Sequence, residues 1–387
     1  MHDSSATAAP KRPHVVLVTG SLEGGGAERV MSEMANYWAQ RGWRVTLATW
    51  SGPNIEDFYS LDPEVSRVWL DVHSPNSSLF AKARSNLARV FRLRRLLRAS
   101  RPDVILSFIH TSNVLTIVAA AGLPVRVVIS ERGCAGQVGE ESLYSLSFSW
   151  RALRKLLYAR SDAVTALNCE SAQWLKKACR VEATVIPPAL RPLPEIRVER
   201  EDLILGVGRL HAAKGFDLLL KAYARVISDF PNWRLVLIGK GPQRSMLINL
   251  CEELNLTRRV EFLDPVRDVH LWMARAGLVV LPSRFEGFGN TVLESLAMGA
   301  AVISTNSPGP ASLIEDRTNG RLVPVDDSES LTRVMAELMS QPETRVRLGG
   351  AAMNVRKRFR QDRIMRKWEG TLLPWRTTHN SAADPAE

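Results

Sequence analysis

Residues 284–302 read RFEGFGNTVLESLAMGAAV, with two carboxylates, Glu286 and Glu294, eight positions apart around a Gly-Phe-Gly-Asn turn. The preceding LVVLPS reads as a short buried strand, so the turn lies at a strand's carboxyl end. Asn290 or Thr291 starts a helix that runs to about Met298, with Gly299 just beyond, which sets Glu294 in or near its first turn. The glycines let Phe288, Gly289 and Asn290 present backbone N–H groups outward. An anion gains roughly 0.3–1 kcal/mol at such a helix start. Carboxylates do not bind anions, but they accept hydrogen bonds from hydroxyls. A ligand with both hydroxyls and phosphates, a sugar nucleotide, uses all of these groups. The competing reading is that both glutamates answer the helix dipole and bind nothing.

Three other loops invite the same question. In GVGRLHAAKGFD, Arg209 and Lys214 follow a strand that ends near Gly208 and precede a helix. An arginine fork and a lysine ammonium there would neutralise two phosphates; standing alone, they would be solvated cations. In SLEGGGAERV, Gly24, Gly25 and Gly26 lie between a strand and a helix. Such a turn lets the backbone approach a diphosphate, or it is a plain tight turn; it is not the spaced GxGxxG of a dinucleotide fold. In LIGKGPQRS, the turn at Gly241 either packs against a nucleotide base or simply joins strand to helix.

The elements that must position these loops alternate along the chain. HVVLVTG, the glycine turn, the amphipathic AERVMSEMANYWAQRG and RVTLATW form a β-α-β unit, with Val30, Met34, Tyr37 and Trp38 on one helix face and Gly42 after its end. The alternation continues through DVILSFI, SNVLTIVAAAG, VRVVIS, AVTALN, SAQWLKKA and ATVIP. Residues 187–200 hold four prolines and no period, which reads as a linker. The alternation restarts at LILGVGRL and runs through AVISTN and RLVPV to helices over roughly 328–340, 342–358 and 361–372. Strands rich in Val, Ile and Leu between helices predict parallel sheets covered on both faces. The expected fold is α/β, with two Rossmann-like doubly wound domains facing across a cleft. The expected parts are a tail (1–13), an N-terminal domain (14–190), a linker (191–200), a C-terminal domain (201–358), a last helical segment (359–375) and a second tail (376–387). Ligands of such sheets bind beyond the strands' carboxyl ends, where the loops above fall.

The chain has 387 residues, enough for two cored domains, with 45% hydrophobic and 24% charged residues. No apolar run reaches membrane-span length and the N-terminus lacks a signal peptide's apolar core, so a cytoplasmic protein is expected. Cys134, Cys169, Cys179 and Cys251 make no CxxC pair and read as reduced thiols. The net charge is +11. A nucleic-acid partner finds no support beyond that charge, for there is no helix-turn-helix, RNP-like or zinc pattern. The charge concentrates between Asp71 and Asp103, where AKARSNLARVFRLRRLLRASR carries Arg92, Arg95 and Arg98 among eight cations and no acid. Leu87, Val90, Phe91 and Leu97 give it an apolar stripe, and SWRALRKLLYAR adds Arg154 on a second basic helix. Basic amphipathic helices suit an anionic membrane surface; alternatively, the stripe packs on the domain core.

Taken together, EGFGNTVLESLAMGAAVI with its E-x7-E, GVGRLHAAKG, GGGAERV and NGRLVPVDD resemble the retaining glycosyltransferases of the GT-B class, family 4, over roughly residues 14 to 372. The resemblance implies that Glu286 accepts hydrogen bonds from the donor sugar and Glu294 holds the ribose hydroxyls. Arg209 and Lys214 would bind the diphosphate, helped by the amides of Phe288, Gly289 and Asn290. Gly25, Gly26, Gly208, Gly241 and Thr291 would complete the donor site, and the last helix would cross back to the N-terminal domain. No DxD-like motif sits in a suitable loop, so no cofactor and no obligatory metal are expected. ISERG, SFIHTSN and GGAERVM resemble a subgroup that transfers N-acetylgalactosamine, galactose or related hexoses to polyprenyl-diphosphate-linked glycans. The implied partners are a nucleotide sugar, such a glycan acceptor and the inner face of the plasma membrane. Where many relatives carry a histidine, this chain has Ser130, Glu131 and Arg132. The acceptor region is therefore expected around Glu131 and Arg132, and either His110 or Glu131 takes the place of that histidine; the other reading of His110 is a structural histidine. A GT-B nucleotide-sugar epimerase is the alternative enzyme; it needs no second substrate.

Overall fold

The structure, a computed structural model, describes residues 12–71, 79–133 and 148–374. The chain divides into two compact units, one within Met1–Arg132, Val138–Ile186 and Met365–Glu387, the other within Gly133–Gln137 and Pro187–Ile364.

The first unit contains β1 (His14–Thr19), α1 (Gly26–Gln40), β2 (Arg44–Thr49), β3 (Val65–Trp69), α2 (Leu79–Ser100), β4 (Val104–Phe108), α3 (His110–Ala120), β5 (Arg126–Glu131), α4 (Phe148–Leu157), β6 (Ala163–Ala166), α5 (Cys169–Cys179) and β7 (Thr184–Val185). Its seven strands are all parallel, in the order β3-β2-β1-β4-β5-β6-β7. The central β1 and β4 are buried throughout, as expected for apolar strands covered on both faces. The edge strand β3 leaves no strand pattern in the sequence. In its V-S-R-V-W sequence Ser66 and Trp69 are exposed, and among the described residues it pairs with β2 alone.

The second unit contains β8 (Glu201–Val207), α6 (Phe216–Val226), β9 (Arg234–Ile238), α7 (Arg244–Glu253), β10 (Val260–Leu263), α8 (Val269–Arg275), β11 (Ala276–Leu281), α9 (Asn290–Ala297), β12 (Val302–Thr305), α10 (Pro308–Ala311), β13 (Arg321–Val323), α11 (Ser328–Ser340), α12 (Pro342–Ala352) and α13 (Val355–Arg358). Its six parallel strands run β10-β9-β8-β11-β12-β13. The single helix expected over 342–358 is two, broken at Met353 and Asn354. The last helix, α14 (Gln361–Leu372), passes from the second unit into the first at Met365. Within the first unit its Trp368 is buried 6.1 Å from the Phe108 ring, and Arg126 donates to the Thr371 carbonyl.

Both sheets reverse their strand order once. The reversal lies between β1 and β4 in the first unit and between β8 and β11 in the second. Loops leaving the carboxyl ends of two such neighbours diverge to opposite faces and leave a crevice. Four of the loops singled out by sequence leave these strands: Gly20–Gly25 after β1, Ile109 and His110 after β4, Gly208–Gly215 after β8, and Pro282–Gly289 after β11; the Gly241 loop follows β9 instead.

Candidate active site

In the second unit the β8 and β11 loops meet. Lys214 Nζ stands 2.5 Å from Glu286 Oε2 as an ion pair. The pair is set by its surroundings. Lys214 ends a 3-10 turn, Ala212–Lys214, closed by Gly215 in the left-handed region at φ +66°. A Cβ on Gly215 would also lie 2.1 Å from the Pro282 carbonyl oxygen, so only glycine lets the two loops approach. Arg284, two residues before Glu286, donates to both oxygens of Asp217 at 2.8 Å, to Asp326 and to the Ala212 carbonyl. Burial pushes the Asp217 carboxyl up, but the Arg284 hydrogen bonds outweigh it and hold the group below its ordinary value. A charge-assisted fork thus fixes the spacing of the loops that carry Lys214 and Glu286.

Helix α9 begins as predicted, with Gly289 as its N-cap at φ +89° and no side-chain cap on its amides. Phe288 anchors the turn through its buried ring, edge-on to Phe359 at 5.7 Å. Glu294 is the fifth residue of α9, at the end of its first turn as a start at Asn290 implies, and it is 4% exposed. From there it cannot reach back to the helix start. Its Oε2 instead accepts from Arg191 Nη2 at 2.9 Å and lies 3.1 Å from His270 Nε2. Sequence reasoning missed both partners: Arg191 sits in the proline-rich segment read as linker, and His270 is a lone histidine on the short α8.

Arg209 is exposed, with no ion pair or hydrogen bond to its side chain among the described residues. Gly241 is explained by packing. The two loops after β8 and β9 are joined by Leu210 N–H to the Lys240 carbonyl at 2.8 Å and Gln243 N–H to the Leu210 carbonyl at 3.0 Å. A Cβ on Gly241 would fall 2.2 Å from the Leu210 oxygen, whereas one on Gly208 would only touch the Lys214 stem, at 3.5 Å. Thr291 and Asn290 open α9, and Asn290 Oδ1 is buried without a partner.

In the first unit the glycine turn differs from expectation. Glu28 Oε2 accepts from the N–H groups of Gly24 (3.0 Å) and Gly25 (2.8 Å), and Ser21 donates to Oε1. Gly25 is the N-cap of α1 and Glu28 its third residue, so the carboxylate bends back as in a capping box. The expectation that Gly25 offers its amide to a diphosphate is corrected: the chain's own anion holds it. Gly26 begins the helix.

After β4, Ile109 adopts φ +74° and ψ 139°. A β-branched residue there is strained by on the order of 1–3 kcal/mol. The strain delivers His110 as the first residue of α3, beyond the strand end. Burial, with Arg154 nearby, lowers the His110 pKa to about 4, so the imidazole is neutral at pH 7. Glu131 is corrected as an acceptor contact. It is buried, accepts a hydrogen bond from Tyr158 and lies 4.0 Å from Arg154, and burial pushes its carboxyl up. Arg132 lies with its guanidinium 4.6 Å from the Phe108 ring centroid, and burial lowers its pKa to about 9.

Arg154 is also corrected as a membrane contact: it is 9% exposed, held between Glu131 and the Trp174 ring at 4.4 Å. Arg92 is tied to the carbonyls of Leu70 and Asp71. The α2 stripe divides in two. Leu93 and Leu97 enter the core, whereas Leu87 (57% exposed) and Phe91 (62%) point outward. With the exposed Arg84, Arg95 and Arg98 they form one stripe at i, i+3 and i+4 spacing. No described helix is long and apolar enough to cross a membrane. Cys169, Cys179 and Cys251 are free thiols; Cys134 lies outside the described residues.

Comparison with known proteins extends this geometry. Residues 24–192 match the family described as Glycosyltransferase Family 4, and residues 194–355 match Glycosyl transferases group 1. A Campylobacter jejuni protein is 28% identical over 360 residues, covering 92% of this chain and 96% of its own. It is named GalNAc-alpha-(1->4)-GalNAc-alpha-(1->3)-diNAcBac-PP-undecaprenol alpha-1,4-N-acetyl-D-galactosaminyltransferase. Among solved structures, sucrose-phosphate synthase from Thermosynechococcus elongatus superposes with a TM-score of 0.82 at 20% identity, covering 96% of this chain and 100% of its own. Anabaena HepE, in complex with UDP and glucose, superposes with a TM-score of 0.76 at 18% identity, covering 93% and 99%. Both share the fold.

Proposed function

We propose that this chain, a GT-B glycosyltransferase with a family 4 domain followed by a group 1 domain, moves a hexose or N-acetylhexosamine from a UDP-linked donor to a polyprenyl-diphosphate-linked glycan. The anomeric configuration is retained, and the product enters a cell-surface polysaccharide or glycoconjugate. The observation that carries this reading is the Lys214–Glu286 pair beside the uncapped start of α9. It sets a cation for phosphate, an acceptor for sugar hydroxyls and backbone donors at one strand-order reversal. The acceptor class comes from the Campylobacter relative, which is named for a substrate on undecaprenol diphosphate.

Cleavage of the bond between the anomeric carbon and the donor phosphate leaves an oxocarbenium-like sugar and a diphosphate with one more negative charge. Lys214, Arg209 and the α9 amides stabilise that leaving group as its charge develops. Glu286 accepts from the sugar's hydroxyls and Glu294 from the ribose. The acceptor hydroxyl attacks from the face the diphosphate leaves, and its proton passes to a departing phosphate oxygen. Neutral His110 supplies a hydrogen-bonding group on the acceptor side, and Arg132 a cation. No step needs a metal ion.

The α2 stripe of Leu87, Phe91, Arg95 and Arg98 docks on anionic lipid, which brings the enzyme to a lipid-linked acceptor. Sedimentation with phosphatidylglycerol vesicles at low salt, weakening at high salt, is the expected result; no binding at low salt contradicts it. The reaction itself is tested by nucleotide release from a panel of UDP-hexoses and UDP-N-acetylhexosamines in EDTA, with and without a polyprenyl-diphosphate-linked sugar. Release that requires one donor and the lipid acceptor supports the reading. Donor conversion without an acceptor supports an epimerase instead, and no release with any donor overturns the UDP assignment.

A further inference from the structure

Glu294 sits where a helix-dipole partner has no use. Its carboxylate is one turn past the amides of α9 and faces sideways into Arg191 and His270. Arg191 Nη2 donates to Oε2, and His270 Nε2 lies 3.1 Å from that same oxygen and 2.9 Å from Arg191 Nη2, so the ring nitrogen donates to Glu294 or accepts from Arg191 according to its tautomer. The two contacts to Oε2 are satisfied together when His270 carries its proton on Nε2. His270 is 7% exposed and Glu294 4%, so the carboxylate is held away from bulk water. A glutamate free in solution has rotamers to lose on binding a ligand. Here they are already fixed.

Arg191 is braced as well. Leu190 N–H donates to the Phe359 carbonyl at 2.8 Å, and Leu190 forms a parallel bridge with Arg360. The Phe359 ring in turn packs on Phe288, in the loop that carries Glu286. One backbone segment therefore sets Arg191 against Glu294 and steadies the turn before α9.

We propose that Arg191 and His270 are positioning residues: they clamp the Glu294 carboxylate in the orientation that receives the ribose diol of the donor nucleotide. This rests on the nucleotide-sugar reading of the site. A diol needs two acceptor positions at fixed spacing. A carboxylate offers about four lone-pair sites, and two donors on one oxygen lock its plane. Neither residue touches the reacting bond. Their action shows as discrimination between ribose and deoxyribose, which a structural ion pair would not affect.

The test is calorimetric titration of UDP and 2′-deoxy-UDP into the full chain as wild type, R191M, R191K and H270Q, with unfolding midpoints measured alongside. Wild type is expected to prefer UDP by roughly tenfold to a hundredfold, the worth of a hydrogen bond to a charged group. R191M and H270Q are expected to lose UDP affinity while 2′-deoxy-UDP binding stays put, so the ratio falls toward one. R191K, which keeps the charge and a donor, recovers part of it. If R191M does not fold, R191K and H270Q carry the test. Folded variants that keep the wild-type ratio overturn the clamp and leave the donor site standing. Wild type that binds UDP and 2′-deoxy-UDP equally overturns the clamp and the ribose role of Glu294. Wild type that binds neither overturns the UDP reading and the clamp with it.

Discussion

The glycine turns after β1 and β11 are built alike. Each joins a buried parallel strand to a helix, takes a glycine as N-cap and is followed closely by a glutamate. They differ by two residues in where that glutamate stands. Glu28 is the third residue of α1, so its side chain curls back over the helix start and takes the amides of Gly24 and Gly25. Glu294 is the fifth residue of α9, so its side chain leaves the helix laterally, and Arg191 and His270 meet it instead. The first turn is closed by its own anion. The second keeps its helix start uncapped and has a lysine–glutamate pair beside it. Spacing within one helical turn thus decides whether a glycine turn is finished structure or a place for a ligand.

Four substitutions break or sharpen that contrast. Lys214→Ala should lower turnover on the order of 10²–10³, as for loss of one group aimed at developing charge. Its unfolding midpoint should stay near wild type, because the Lys214–Glu286 pair is partly exposed. Glu294→Ala should raise the donor KM and cost about 1–3 kcal/mol in urea unfolding, since it strips a buried acceptor from Arg191 and His270. Glu28→Ala should cost about 1 kcal/mol, the usual loss of a cap, and change turnover only a few-fold. The His110 effect is smallest at neutral pH. Its pKa is about 4 in the folded protein against an ordinary 6.5, so the unfolded chain binds the proton more readily. Stability should fall as pH drops from about 6.5 toward 4 and be insensitive to this group above that window. In His110→Gln the slope should flatten; an unchanged slope in thermal melts would assign the acid sensitivity elsewhere.

Much of this architecture can be read from the chain because its central strands are runs of Val, Ile and Leu with one meaning. Edge strand β3 cannot, since Ser66 and Arg67 break the apolar run. Glu286 and Lys214 are visible because glycine turns frame both. Arg191 is invisible among prolines that carry no period, and only the fold brings it to Glu294. Glu28 was legible in principle, three residues after an N-cap, but a glycine cap hides a pattern usually spotted by serine or threonine. The α2 stripe misleads for a simple reason. At about 100° per residue, Leu97 lies about 80° around the helix from Leu87, enough to put one in the core and leave the other outside. Arg154 was read as exposed because its helix is basic. A buried carboxyl, Glu131, and the Trp174 ring give it a place inside.

The most direct test of the contrast between the two turns is UDP affinity measured side by side in Lys214→Ala and Glu28→Ala by calorimetry. The account predicts that Lys214→Ala weakens UDP at least about tenfold, the loss of a charge-assisted contact, while Glu28→Ala leaves it within about twofold. Normal affinity in Lys214→Ala, with a large change in Glu28→Ala, would put the nucleotide on the glycine turn of the first unit and contradict the account.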